Sequence, residues 1–281
     1  MQYIANILTY FKKELKGIID DREITSLAYI TIENIFGLNK SSCILNSMNE
    51  IGYSNRKYII EIVSDLKTGK PIQYIIGKAD FYGLKFVVSK SVLIPRPETE
   101  ELVDWVIKSS SNKTGFLDIG TGSGCIIISL CKNLKGNFMG IDISKDALLV
   151  AKENNSNNST SVNFRKMDIL KENFEKGSFF DVIVSNPPYV LLSELKNMNN
   201  NVVNFEPHIA LFVDDPEPLF WYKIISIKAK RLLNKDGHLY FEINENYGPE
   251  VVSILDEEGF VEIELKKDIN DKDRMVKAVW K

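Results

Sequence analysis

Asn186-Pro187-Pro188-Tyr189 is the stretch whose residue types point most directly to chemistry, and it closes the run Phe179-Phe180-Asp181-Val182-Ile183-Val184-Ser185. Proline has no N–H and disfavours the helical region for the residue before it, so the backbone from Asn186 to Pro188 is held extended and stiff. Ladder pairing stops there, which frees carbonyl oxygens to face a ligand. The Asn186 side-chain oxygen and the Pro187 carbonyl form two adjacent acceptors, a match for the two N–H donors of an NH2 group. Tyr189 offers a flat face for the plane that carries this NH2. The competing interpretation is an ordinary strand-to-turn transition built from Asn and Pro; the tetrapeptide alone leaves both open.

A second constellation, Asp118-Ile119-Gly120-Thr121-Gly122-Ser123-Gly124, lies between the apolar strand Phe116 to Ile119 and a helical pattern beginning at Cys125. Open α/β sheets bind ligands at such turns, where glycine permits tight turning and close approach. Asp142 ends the next strand, about 20 residues on, where a carboxylate can reach ribose hydroxyls. The spacing is G-x-G-x-G, not the dinucleotide G-x-G-x-x-G, and there is no G-x-x-x-x-G-K-[ST] phosphate loop. Asp118 places a carboxylate near the ligand, which repels a pyrophosphate and suits the positively charged amino-acid portion of S-adenosylmethionine. Asp168, after the third strand, is either an acceptor for an adenine NH2 or an exposed turn residue. A nucleoside cofactor over the first two strand ends and an NH2-binding rim at the fourth together point to methyl transfer onto a planar nitrogen. That reaction needs alignment more than a strong base. Asn186 and Pro187 would orient the NH2 and Tyr189 its plane, with the nitrogen losing its proton after transfer.

Composition narrows the classes. A length of 281 residues fits one large or two ordinary domains, and 44% hydrophobic content supports a full core. With 35 basic and 38 acidic residues the net charge is −3, so no global basic field recruits nucleic acid. Cys43, Cys125 and Cys131 form no C-x-x-C pair and are expected to be buried, reduced thiols of a cytoplasmic protein. His208 and His238 make no H-E-x-x-H pattern, so a metal site is not expected. Lys12, Lys13 and Glu14 interrupt the N-terminal amphipathic run, and no segment approaches the ~18 apolar residues of a membrane span. Membrane association is not expected, and a monomer is.

These residues need a scaffold, and the patterning supplies one. Residues 1 to 72 read as a helical domain, from amphipathic spacing over Tyr3 to Leu15, Ile24 to Phe36 and Arg56 to Leu66, with Gly69 and Pro71 as a stop. Residues 73 to 92 read as a β-hairpin or extended linker through Phe81-Tyr82-Gly83. Pro97 suits the first turn of a helix whose start is favoured by Glu98, Glu100 and Glu101, while Arg96 has no evident local purpose. From 93 to 281 strands alternate with helices, which indicates a doubly wound α/β sheet. Val261 to Lys267 and Met275 to Trp280 are joined by a short polar turn and must be antiparallel. Asn154 to Ser161 and Asn197 to Asn204 read as polar loops, the second a candidate cover for the site.

The chain resembles the release factor glutamine methyltransferases, the HemK/PrmC family. The resemblance lies in Pro71-Ile72-Gln73-Tyr74-Ile75-Ile76-Gly77, Phe81-Tyr82-Gly83, Leu93 through Glu100, Asp118 through Gly124, Asn186 through Tyr189, and Phe205-Glu206-Pro207-His208-Ile209-Ala210-Leu211. It implies a seven-stranded, Rossmann-like class I methyltransferase sheet with an antiparallel last strand behind a small helical domain, whose role is either structural or to dock the substrate. It also implies S-adenosylmethionine as donor, S-adenosylhomocysteine as product, and as substrate the glutamine of the Gly-Gly-Gln loop in peptide chain release factors. By position, Gly120 to Gly124, Asp118 and Asp142 would hold the cofactor, with Asp168 near adenine and Asn186 between cofactor and substrate. Asn186, Pro187, Pro188 and Tyr189 would bind the glutamine amide. Two departures stand out: Ile169 replaces an aromatic common in the family, and the turn Asp268 to Arg274 lacks the family's frequent glycine. Rival functions are an adenine-N6 methyltransferase, which could use the same acceptors, an NAD-dependent oxidoreductase, and a non-catalytic cofactor-binding regulator.

Overall fold

The amphipathic N-terminal segments form the helices Ala5–Leu15, Asp21–Phe36, Lys40–Leu45, Tyr53–Lys67 and Ile72–Ile76. Their spacing buries Ile7, Phe11, Leu15, Ile24, Ala28, Ile59 and Ile62 in one cluster. The Asp20 carboxylate caps the second helix by accepting from Arg22 N, and Gly37 ends it in the left-handed conformation. The computed structural model describes residues 1–110, 112–175, 177 and 179–281. Residues 1–77 with 200–205 form one compact unit and 78–199 with 206–281 the other. Residues 73–76, expected to be extended, are helical: Ile72 joins the helical core, and Gly77, at φ +71, stops the turn. No helix among the described residues is long and apolar enough to cross a membrane.

The second unit begins with a hairpin, β1 (Lys78–Phe81) and β2 (Leu84–Val87). Its sheet is built from β3 (Gly115–Ile119), β4 (Asn137–Asp142), β5 (Val162–Lys166) and β6 (Phe180–Ser185). A two-residue parallel pair, β7 (Val190–Leu191) and β8 (Phe212–Val213), precedes β9 (Leu233–Glu242), β10 (Val261–Lys267) and β11 (Asp273–Trp280). The seven-stranded order is β10-β11-β9-β6-β3-β4-β5, with only β11 antiparallel to its neighbours. Asp271, at φ +62, makes the final turn without a glycine. The Asp268 carboxylate supports that turn by accepting from the N–H groups of Asn270 and Lys272. Helices Phe220–Leu232 and Gly248–Glu257 cover one face through Tyr222, Ile225, Val251 and Leu255. Helices Pro97–Ser109, Cys125–Asn133 and Lys145–Asn157 cover the other through Leu102, Val106, Ile127, Leu130 and Leu148.

Three expectations are corrected by this scaffold. Asn154 to Asn157 extend the helix that Ser144 caps. The buried Asn154 amide donates to the carbonyls of Val87 and Ser123 and accepts from Val87 N, so it stabilises a further turn where composition suggested a loop. Asn200–Phe205 is helical and clusters with the N-terminal unit. Cys43 is buried, but Cys125 and Cys131 are only half-buried; all three are free thiols.

At the amino ends of the strands the Asp181 carboxylate accepts from Thr114 N, Thr114 Oγ1, Gly115 N and Asn234 Nδ2 at 2.8 to 3.1 Å. Burial alone would raise its pKa, but these hydrogen bonds together outweigh that and bring it from the ordinary 3.8 to about 2. A depressed carboxyl contributes stability above the unfolded value and loses it as the pH falls through the folded one. Asp181→Ala is therefore expected to lower unfolding free energy by about 2 kcal/mol at neutral pH. The difference from the parent should shrink between about pH 4 and pH 2, as denaturant titrations across that window would show; an unchanged gap would contradict the role.

Candidate active site

Strand β3 has β4 on one side and β6 on the other, so chain order reverses between β3 and β6, and the crevice beyond their carboxyl ends is where open α/β sheets receive ligands. The glycine turn leaves β3 and the Asn-Pro-Pro segment leaves β6 at this point, with Ile119 and Ser185 in register and the Ser185 hydroxyl donating to Ile119 O at 2.7 Å. A cavity of about 280 Å³ lies over both ends and is lined by residues of each.

Gly120 N and Thr121 N both donate to Ile141 O at 2.9 Å, folding the turn back over β4. The curl needs φ +75 at Gly120 and +55 at Gly122, values that side chains resist. Asp142 closes the arrangement: Oδ2 accepts from Gly122 N and Oδ1 from Ser144 N, each at 2.8 Å. Burial raises its pKa, against the opposing pull of these N–H groups. Asp142 lines the cavity, and a carboxylate has more lone pairs than these bonds use, which suits a diol. Ile143, Met167 and Ile169 add aliphatic wall beside Asp168, whose Oδ1 accepts from Leu170 N at 3.0 Å.

Two residues expected at the ligand lie behind this surface. Asp118 is fully buried and does not line the cavity; its Oδ2 accepts from Thr121 Oγ1 at 2.6 Å. Burial pushes its carboxyl up to about 7, opposed by the Thr121 hydroxyl and reinforced by the Asp142 charge. Gly124 is buried at the start of the Cys125–Asn133 helix. Asp118 Oδ1 and Ser123 Oγ are buried without a hydrogen-bond partner among the described residues. Unsatisfied buried polar atoms are costly, at about 1–3 kcal/mol each, and Ser123, unlike Asp118, lines the cavity, where a polar ligand can satisfy it.

At the β6 end, Asn186, Pro187 and Pro188 line the cavity, whereas Tyr189 does not. The Tyr189 ring packs against the sheet core and its hydroxyl donates to Glu242 Oε1 at 3.0 Å. The flat face expected of Tyr189 is therefore turned into the fold. Thr99 Oγ1 donates to the other oxygen of Glu242 at 2.6 Å, and Asn186 Nδ2 donates to Thr99 Oγ1 at 3.4 Å. Neither Asn186 Oδ1 nor the Pro187 carbonyl receives a hydrogen bond from any described residue. The two acceptors are thus available to a ligand with paired N–H groups.

Arg96 acquires a partner that its local sequence did not reveal. Its Nη2 donates to Glu206 Oε1 at 2.6 Å, and Ile94 N donates to Glu206 Oε2 at 3.2 Å. The Glu206 side chain is buried, so loss of Arg96 would strand a charge. Ile209 and Ala210, which follow Glu206, line the cavity, and the β7–β8 pair links this segment to the residues after Tyr189. Thr99 and Glu206 lie in motifs that carry the resemblance but had no assigned role, and Glu242 and Asn244, whose Nδ2 donates to Tyr189 O, were not singled out from the sequence. Glu242 did carry a signal, as the lone charge in Leu239-Tyr240-Phe241-Glu242-Ile243.

A seven-stranded sheet with this turn and rim defines a methyltransferase, and a family model described as a methyltransferase domain matches residues 110–281. The fold is shared with a crystal structure of a methyltransferase from Pyrococcus furiosus, at a TM-score of 0.53 and 16% identity, covering 81% of this chain and 98% of that one. Among curated proteins, the release factor glutamine methyltransferase of Flavobacterium psychrophilum is 43% identical over 98% of both chains. That of Bacteroides thetaiotaomicron is 38% identical over 97% of this chain and 98% of its own. The chain belongs to the release factor glutamine methyltransferase family.

Proposed function

We propose that this protein transfers a methyl group from S-adenosylmethionine to the side-chain amide nitrogen of the glutamine in the Gly-Gly-Gln loop of peptide chain release factors, and so modulates translation termination. The observation that carries this reading is the presence in one cavity of two features: the glycine turn with Asp142, and the open acceptor pair of Asn186 and Pro187. Bound S-adenosylmethionine supplies an activated methyl group on a sulfonium.

Gly120, Thr121, Gly122 and Ser123 would cradle the cofactor with backbone groups, Asp142 would hold its ribose, and Asp168 would sit beside adenine between Met167 and Ile169. Asp118 is assigned an indirect part, fixing the Thr121 hydroxyl at 2.6 Å, and Gly124 supports the turn. The orphaned Ser123 Oγ, which lines the cavity, supports a polar ligand at this end.

At the other end Asn186 Oδ1 and the Pro187 carbonyl would each accept one N–H of the glutamine amide. That fixes its plane and stabilises positive charge that develops on nitrogen as the new bond forms. Pro188, Pro95 and Ile209 would exclude water, which strengthens these hydrogen bonds. Tyr189 is assigned to holding the loop through Glu242. The helical unit is assigned to docking the release factor, supported by the exposed apolar residues Ile44, Leu45, Met48 and Tyr53.

Incubation of a purified release factor with this protein and S-adenosylmethionine is expected to add one methyl group to the Gly-Gly-Gln glutamine, detected by peptide mass spectrometry. Methylation of DNA adenine with no methylation of the release factor would overturn the reading.

A further inference from the structure

Resting on the methyl-transfer reading above, we infer that Thr99 and Glu242 form a hydrogen-bond relay that sets which face of the Asn186 amide meets the substrate. They are positioning residues, since neither is assigned contact with the reacting atoms. The relay begins at Glu242, which ends β9 beside β6 and is only 1% exposed. A buried carboxylate is costly unless donors surround it, and here Thr99 and Tyr189 each donate one hydroxyl proton to it.

A threonine hydroxyl has one hydrogen. With that hydrogen committed to Glu242 Oε2 at 2.6 Å, Thr99 Oγ1 can only accept from its other neighbour. That neighbour is the Asn186 side chain at 3.4 Å, whose NH2 must therefore turn toward Thr99. An amide has its acceptor opposite its donor, so Asn186 Oδ1 is presented outward, away from Thr99. Were the amide reversed, its NH2 would confront the NH2 of the substrate glutamine, and the acceptor pair would be lost.

The same carboxylate secures the far end of the segment. Tyr189 OH donates to Glu242 Oε1 at 3.0 Å, and Asn244 Nδ2 donates to Tyr189 O at 3.1 Å. One buried charge thus fixes both the reach of the Asn-Pro-Pro-Tyr loop and the polarity of its amide. Glutamine at position 242 would preserve volume but offer Thr99 an NH2. Thr99 would then accept from residue 242 and donate to Asn186, which favours the reversed amide.

Glu242→Gln and Thr99→Val are each expected to lower kcat on the order of 10- to 100-fold, with cofactor affinity changed less than about threefold and Thr99→Ser regaining most of the Thr99→Val loss. Because both cut one relay, the double variant should lose little more than the worse single variant. A readout independent of turnover is the side-chain NH2 resonance pair of Asn186 in 15N-labelled protein, assigned by its disappearance in Asn186→Asp. The pair should shift in Glu242→Gln and Thr99→Val and return toward the parent position in Thr99→Ser.

Unmoved resonances in both variants, full multiplicative loss in the double variant, or a kcat for Thr99→Val within twofold of the parent would overturn the relay. If Glu242→Gln does not fold, the two Thr99 variants decide the matter alone. If the parent protein transfers no methyl to release factor, the proposed function fails, and the resonances still decide whether Thr99 and Glu242 orient Asn186.

Discussion

Asn186→Ala is expected to reduce methyl transfer to release factor by on the order of 10²- to 10³-fold while leaving the fold intact. The magnitude follows from the loss of an aligned acceptor in a closed site, where a single misplaced or missing hydrogen-bonding group costs about 10²- to 10³-fold. Alanine also leaves the Pro187 carbonyl alone, and one acceptor cannot fix the plane of an amide. The structural cost is small because the only hydrogen bond made by the Asn186 side chain to a described residue is the long one to Thr99, at 3.4 Å, a contact that contributes less than about 1 kcal/mol. Rates of labelled methyl transfer, paired with thermal unfolding, separate the two effects. Turnover within tenfold of the parent would remove Asn186 from the reaction, and a collapse in Tm would make it a structural residue.

The second large effect is expected at the other end of the cavity. Asp142→Ala should weaken S-adenosylmethionine binding about 100-fold or more, as measured by calorimetry. The carboxylate organises Gly122 and Ser144 through two backbone hydrogen bonds at 2.8 Å, and its remaining lone pairs are the proposed ribose acceptors. Hydrogen bonds to a charged group contribute about 1.5–3 kcal/mol each, and 1.4 kcal/mol corresponds to tenfold in affinity. Asp142→Asn should fall between parent and alanine, because it keeps one acceptor and converts the other into a donor. A dissociation constant within threefold of the parent for Asp142→Ala would show that the ribose is held elsewhere.

The sheet and the glycine turn were legible because their information is local. Apolar runs of strand length, the positive-φ glycines at 120 and 122, and Pro97 at a helix start each depend on a few neighbouring residues. Local composition misled where tertiary satisfaction decided the outcome. The Asn-rich stretch from Asn154 looks like a loop until its first amide is seen buried between Val87 and Ser123. Arg96 lacked a purpose because Glu206 is 110 positions away, and Thr99 was given no role of its own because Glu242 is 143 positions away. Tyr189 belongs to the Asn-Pro-Pro-Tyr segment, but its ring direction depends on a carboxylate no local rule could supply.

Those same separations bear on the order in which the molecule comes together. Contacts that close long stretches of chain are entropically expensive and tend to form after local ones. The cofactor turn joins residues 20 apart, Gly122 to Asp142, whereas the Asn186 support spans 87 positions to Thr99 and a further 143 from Thr99 to Glu242. A growing polypeptide that has not yet reached β9 lacks the carboxylate that anchors Thr99 and Tyr189. The candidate site is therefore complete only when the Glu242 carboxyl group, its most distant support in the sequence, is laid into the sheet.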